Sequence, residues 1–170
     1  YFYYILDKLT MIQATTETGF NIFVQTEDNR INTSVASTQI RHLVKFTNDL
    51  DKSVYYAYGS AETIKDRYTQ ISINYDVTPD MYSGETKLFP AGYWKYEIYE
   101  VSWIGTVTVS AGNAPATEND VLSPVADTKG VVQGLVTKGK MNLSEKDGTQ
   151  QVQYTQRQEP TETNYIYYGQ

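Results

Sequence analysis

The amino-acid sequence predicts an all-β fold: a single β-sandwich, immunoglobulin-like or jelly-roll-like, with long loops and extended termini. Three observations carry this. Apolar residues recur with period two in short runs, as half-buried strands require. The runs are rich in Thr, Val, Ile and Tyr, which suit a pleated surface. Gly, Pro, Asn and Asp punctuate them, and no helical stripe is sustained.

Taken in order, the apolar residues 20–24 lie between two polar excursions, 15–19 and 27–38. In 41–47, His42, Val44 and Phe46 share one face. Val54, Tyr56 and Tyr58 share a face of the next run. Residues 67–75 alternate most cleanly, with Ile71, Ile73 and Tyr75 opposite Gln70, Ser72 and Asn74. In 92–101, Trp94, Tyr96 and Ile98 oppose Tyr93, Lys95, Glu97 and Tyr99. Val107 and Val109 alternate with Thr106, Thr108 and Ser110. Residues 131–137 and 165–168 are further strand candidates. Residues 140–143 and 150–155 flank Asp147-Gly148, where the glycine offers the positive φ of a hairpin turn. Ser60 could cap one helical turn over 60–65, and 32–40 could hold another. About seven to ten strands result.

The chain has 170 residues and a mass of 19.3 kDa, enough for one core, so a single domain spans 1–170. Residues 111–129 show neither period and form a long loop or arm, and 156–170 form a carboxy-terminal arm. Tyr1-Phe2-Tyr3-Tyr4-Ile5-Leu6 is apolar but lacks the basic flank and small-residue cleavage site of a signal peptide. No stretch approaches the roughly 18 apolar residues of a spanning helix.

Composition narrows the chemistry. There is no Cys, so thiolate catalysis, disulfides and cysteine metal sites are excluded. One His excludes a paired-histidine metal motif. A net charge of -6 argues against a basic nucleic-acid face.

The motif candidates fail in turn. Gly134 to Lys140 has phosphate-loop spacing, but Met141 stands where Ser or Thr would hold Mg²⁺, and the context reads as strand. Asp49, Asp51 and Ser53 begin like a calcium loop, yet Val54 and Ser60 occupy its glycine and glutamate positions; a turn fits better. Glu97 and Glu100 fall on opposite faces of a strand, so they read as solvated positions rather than a glycosidase pair. His42 has no sharp-turn Ser to serve and reads as a half-buried strand residue. Asn32-Thr33-Ser34 and Asn142-Leu143-Ser144 are glycosylation sequons that matter only in a secretory pathway. No catalytic residue, metal or cofactor is implied, and the chain does not read as an enzyme.

Tyrosine is the outlier, at 16 residues, roughly three times its usual share. Nine lie between Tyr55 and Tyr99; the rest cluster at the chain ends. Tyr gives large contact area at low rotamer cost. Aromatic ends imply docking, which makes Tyr1, Phe2, Tyr3, Tyr4, Tyr165, Ile166, Tyr167 and Tyr168 the candidate partner-binding residues. An alternative is a carbohydrate-binding β-sandwich module, surface- or fibre-associated, with Trp94, Trp103 and tyrosines as stacking platform.

The runs RHLVKFTNDL at 41–50, VYYA at 54–57, RYTQI at 67–71, GETKLFPAGYWKYEIYE at 84–100 and TNYIYYGQ at 163–170 resemble β-rich structural proteins of tailed phages infecting Bacteroidetes, including the crAss-like group. The resemblance implies a structural virion protein: a capsid auxiliary or decoration subunit, or a ring subunit of the head–tail connector at the portal or neck. It implies contacts with capsid, portal, neck or tail subunits, homo-oligomers within the particle, and a virion location after assembly in the host cytoplasm. With the acidic charge and the lack of a spanning stretch, no membrane and no direct nucleic-acid contact are expected. It carries no catalytic motif onto this chain.

Overall fold

Alternation of β-branched and aromatic side chains gives each strand one face to bury, and two sheets bury those faces against each other. The computed structural model describes residues 11–147. The candidate partner-binding residues Tyr1, Phe2, Tyr3, Tyr4, Tyr165, Ile166, Tyr167 and Tyr168 lie outside this range, as do the strand expected over 150–155 and the carboxy-terminal arm. The described strands are β1 (Ile12–Thr15), β2 (Phe20–Val24), β3 (Ile40–Asn48), β4 (Val54–Tyr58), β5 (Ala61–Ile64), β6 (Thr69–Tyr75), β7 (Glu85–Thr86), β8 (Gly92–Ser102) and β9 (Val131–Ser144). The all-β, sandwich-like prediction is therefore met.

The larger sheet runs β1-β9-β8-β3-β4, with β1 parallel to β9 and the remaining pairs antiparallel. The smaller runs β2-β6-β5, with β7 joining the end of β6. Between them lies a core of Ile22, Ile71 and Ile73 from the small sheet against Val44, Phe46, Trp94, Ile98 and Met141 from the large one. Each such fully buried side chain contributes about 1.5–3 kcal/mol by leaving water. A second apolar cluster, with Leu43, Tyr58, Val101 and Trp103, covers the outer face of the large sheet. Both faces of β3 and β8 are thus covered over part of their length.

Several expectations change. Residues 60–65 form no helical turn: Ala61–Ile64 is strand β5, paired with β6 from Ala61↔Ser72 to Ile64↔Thr69. Ser60 caps nothing; its N–H and hydroxyl both donate to the Ser72 carbonyl, at 2.8 and 3.0 Å. Strand pairing takes the backbone groups that a helical turn would have used. In 32–40 a 3-10 turn forms over Ser37–Gln39. Val107 and Val109 are not in a strand; they pack on the outer-face cluster instead of joining a ladder. The runs 131–137 and 140–143 are one strand, because Gly134 and Gly139 permit continuity rather than ending it. Two bulges, at Gln133 and Val136, accommodate the extra residues of β9 against β8. Gly139 lies under the Tyr96 ring, where an added Cβ would sit 2.5 Å from its hydroxyl oxygen.

Candidate functional site

Between β8 and β9 the chain makes its longest excursion without a strand, 103–130. Its ends are tied together: Gly105 N–H donates to Asp127 O at 3.0 Å and Gly130 N–H to Asn113 O at 2.8 Å. Its first half is anchored on the outer face of the large sheet. Ala114 is buried against Leu43, Tyr58 and Trp103. The buried Tyr58 hydroxyl donates to Pro115 O at 2.6 Å. Glu118 takes one bond per carboxylate oxygen, from Lys45 Nζ and from the Tyr56 hydroxyl, each at 2.5 Å.

Those three groups shift one another. Burial opposes ionisation of Glu118, but the bonds from Lys45 and Tyr56 outweigh it and hold the carboxyl below its ordinary value. Burial, then Glu118, pushes the Tyr56 phenol up to about 12. Lys45 is raised by its bond to Glu118, against the opposing effect of burial. All three keep the protonation that favours the clamp at neutral pH.

The second half of the excursion has the opposite character. Val121 and Val125 are both 85% exposed, with Leu122 half-buried between them. They border a hollow of about 310 Å³ that Val131 and Val132 also line. An apolar tip on an anchored base cannot carry out acid–base or nucleophilic chemistry. It can bury area against another surface. Sequence reasoning identified 111–129 as a loop but missed the anchor, since Lys45, Tyr56 and Glu118 are far apart along the chain.

The remaining candidates are placed as follows. Asp49, Asp51 and Ser53 form the β3–β4 turn, with Asn48 Oδ1 accepting from the N–H groups of Leu50 and Asp51. Gly134 to Lys140 lies wholly within β9. Glu97 and Glu100 do face opposite ways, but neither is freely solvated. Glu97 faces Lys45 and Lys95. Glu100 is 1% exposed, its carboxylate accepting from the N–H groups of Ile31 at 2.9 Å and Asn32 at 2.8 Å. That carboxylate pins the 27–38 excursion to β8, a role for which the strand pattern carries no sign.

His42 is buried rather than half-buried. Its Nδ1 lies 2.9 Å from Glu62 Oε2, and its own N–H donates to Glu62 Oε1. Glu62 reaches it because 61–64 is strand instead of helix. Among the described residues no three His, Asp or Glu side chains gather into a metal-binding group. Trp94 and Trp103 are both 0% exposed, so neither can offer a stacking face to a sugar. Of the nine central tyrosines, Tyr56, Tyr58, Tyr82 and Tyr99 belong to the outer-face cluster; Tyr68 and Tyr93 are exposed.

No family model matches the chain. No curated protein matches it either. Among solved structures it is similar to a glycoside hydrolase candidate from Bacteroides vulgatus, at 10% identity and a TM-score of 0.36, covering 79% of this chain and 16% of that one. The chain thus spans about a sixth of that protein's length, and an overlay this loose carries no argument about function.

Proposed function

We propose that the chain is a structural component of a tailed-phage virion, a capsid auxiliary subunit or a ring subunit at the portal or neck, which works by protein–protein contacts. The observation that supports this reading best is the apolar tip Val121-Leu122-Val125 on a base clamped by Tyr58, Tyr56 and Lys45. Scattered apolar residues are ordinary on a protein surface, whereas two exposed valines on either side of a half-buried leucine, carried on an ordered base, support a contact role. The resemblance of 41–100 and of the last residues to virion proteins points the same way.

The test is binding of the purified chain to capsid, portal and neck components, followed by localisation in particles by cryo-electron microscopy. The expected result is assembly that the double substitution Val121→Ser, Val125→Ser weakens at unchanged melting temperature, because both side chains lie in solvent. A chain that stays monomeric and binds none of these components refutes the proposal.

A further inference from the structure

We infer that a groove between β2 and β9 binds an anionic oligosaccharide. Among the described residues β1 covers the edge of β9 only over 141–144, and Thr137, Lys138, Gly139 and Lys140 line one wall of a space of about 820 Å³. Phe23 and Val24 of β2, with Gln25 just beyond the strand, form the facing wall. That volume lies in the range of ligand-binding clefts.

The rim carries an aromatic pair in water. Phe23 is 54% exposed and Tyr68 41%, with ring centroids 5.8 Å apart in an edge-to-face arrangement. Alternation in β2 turns Ile22 and Val24 into the core and Phe23 outward, so Phe23 adds nothing to the sandwich interior. The apolar C–H face of a pyranose ring would cover such a surface. Its hydroxyls need planar polar partners, and Gln25, Asp28 and Asn29 also line the groove. The Gln25 amide nitrogen donates to Asp28 at 3.2 Å, while its oxygen has no partner among the described residues. Reversing the amide would only leave its other end unpaired.

Charge selects the sugar class. The chain carries -6 overall, yet among the described residues Arg67, Lys138 and Lys140 line this groove against the one carboxylate of Asp28. Lys140 bonds Asp49 at 2.6 Å, whereas Arg67 and Lys138 make no ion pair among the described residues. A carboxylate-bearing polymer complements that arrangement. An extended acidic peptide fits less well: the bulges at Val136 and Gln133 break the β9 edge just beyond Thr137, which leaves four residues for an added strand.

The test is titration calorimetry of the full chain with hexagalacturonate, its fully methyl-esterified form and oligoglutamate. The acid form is expected to bind, and to weaken as salt is raised. The ester should bind at least about tenfold more weakly, a difference of about 1.4 kcal/mol. Phe23→Ala with Tyr68→Ala should cost the acid form at least about tenfold at unchanged melting temperature. Arg67→Ala with Lys138→Ala should erase the difference between acid and ester. Binding of neither sugar, equal binding of both, indifference to the Phe23/Tyr68 substitutions, or oligoglutamate binding as tightly as the sugar would each overturn the inference. None of these outcomes bears on the contact role proposed for the apolar tip.

Discussion

Replacing Glu118 with Gln isolates the clamp that holds the long excursion on the sheet. The substitution keeps size and one acceptor but removes the charge that Lys45 and Tyr56 both address, each at 2.5 Å. Hydrogen bonds to a charged group contribute about 1.5–3 kcal/mol when buried. The Glu118 and Lys45 side chains remain 15% and 20% exposed, so solvent screens part of this. A total loss of about 1–2 kcal/mol follows. At about 2–4 °C per kcal/mol for a chain of this length, melting should fall by about 2–8 °C at neutral pH.

The pH dependence fixes the cause. Although burial opposes it, the bonds from Lys45 and Tyr56 depress the folded-state pKa of Glu118 below its ordinary value of 4.5. A depressed acid stabilises the folded state fully above its unfolded value and loses that contribution as pH falls through the folded one. The stability difference between wild type and E118Q should therefore be constant from neutrality down to about pH 4.5 and shrink below it. Asp51, whose carboxyl is lowered by its bonds from Ser53, titrates alike in both proteins and cancels. Urea unfolding across that range reads the difference directly. A difference that stays flat below pH 4.5, or grows, refutes the clamp as described.

Three further outcomes are expected. Glu100→Gln should cost about 2–3 kcal/mol, since the new NH₂ faces one of the N–H groups of Ile31 and Asn32, and amide exchange at both should quicken; unchanged exchange would show that the carboxylate does not pin the excursion. Gly139→Ala should lower the unfolding free energy read in urea by about 1–3 kcal/mol through overpacking, because its Cβ would meet the Tyr96 ring at 2.7 Å; a neutral result would mean that Tyr96 can move aside. Tyr58→Phe should cost about 1–2 kcal/mol and leave the Pro115 carbonyl buried without its donor; unaltered melting would place the anchor elsewhere.

Local pattern was enough for β3, β6 and β8. Their inward faces, with Phe46, Ile71, Ile73, Trp94 and Ile98, follow from alternation alone, because the period of a strand is a property of neighbouring residues. The sequence misled where a residue's partner is distant. Ala61–Ile64 is strand because β6 lies beside it, and Val107 and Val109 leave the ladder because the outer face of the sheet offers them a second core. Polar residues were the least legible. Glu100 reads as a solvated strand position, His42 as a half-buried one and Glu62 as part of a helical turn, until the 27–38 excursion covers Glu100 and β5 brings Glu62 to His42.

By itself the sequence determined the all-β class, most strand positions, the absence of cysteine chemistry and the location of the long excursion. Only the tertiary structure decided which aromatics meet solvent. It buries both tryptophans and exposes Phe23 and Tyr68, because exposure depends on which sheet packs above a residue and not on its type. It likewise brought Phe23 across from Lys138 and anchored residues 113–118 beneath an apolar tip. Those juxtapositions join segments more than fifty residues apart, where side-chain period carries no information and only tertiary packing can set the distance.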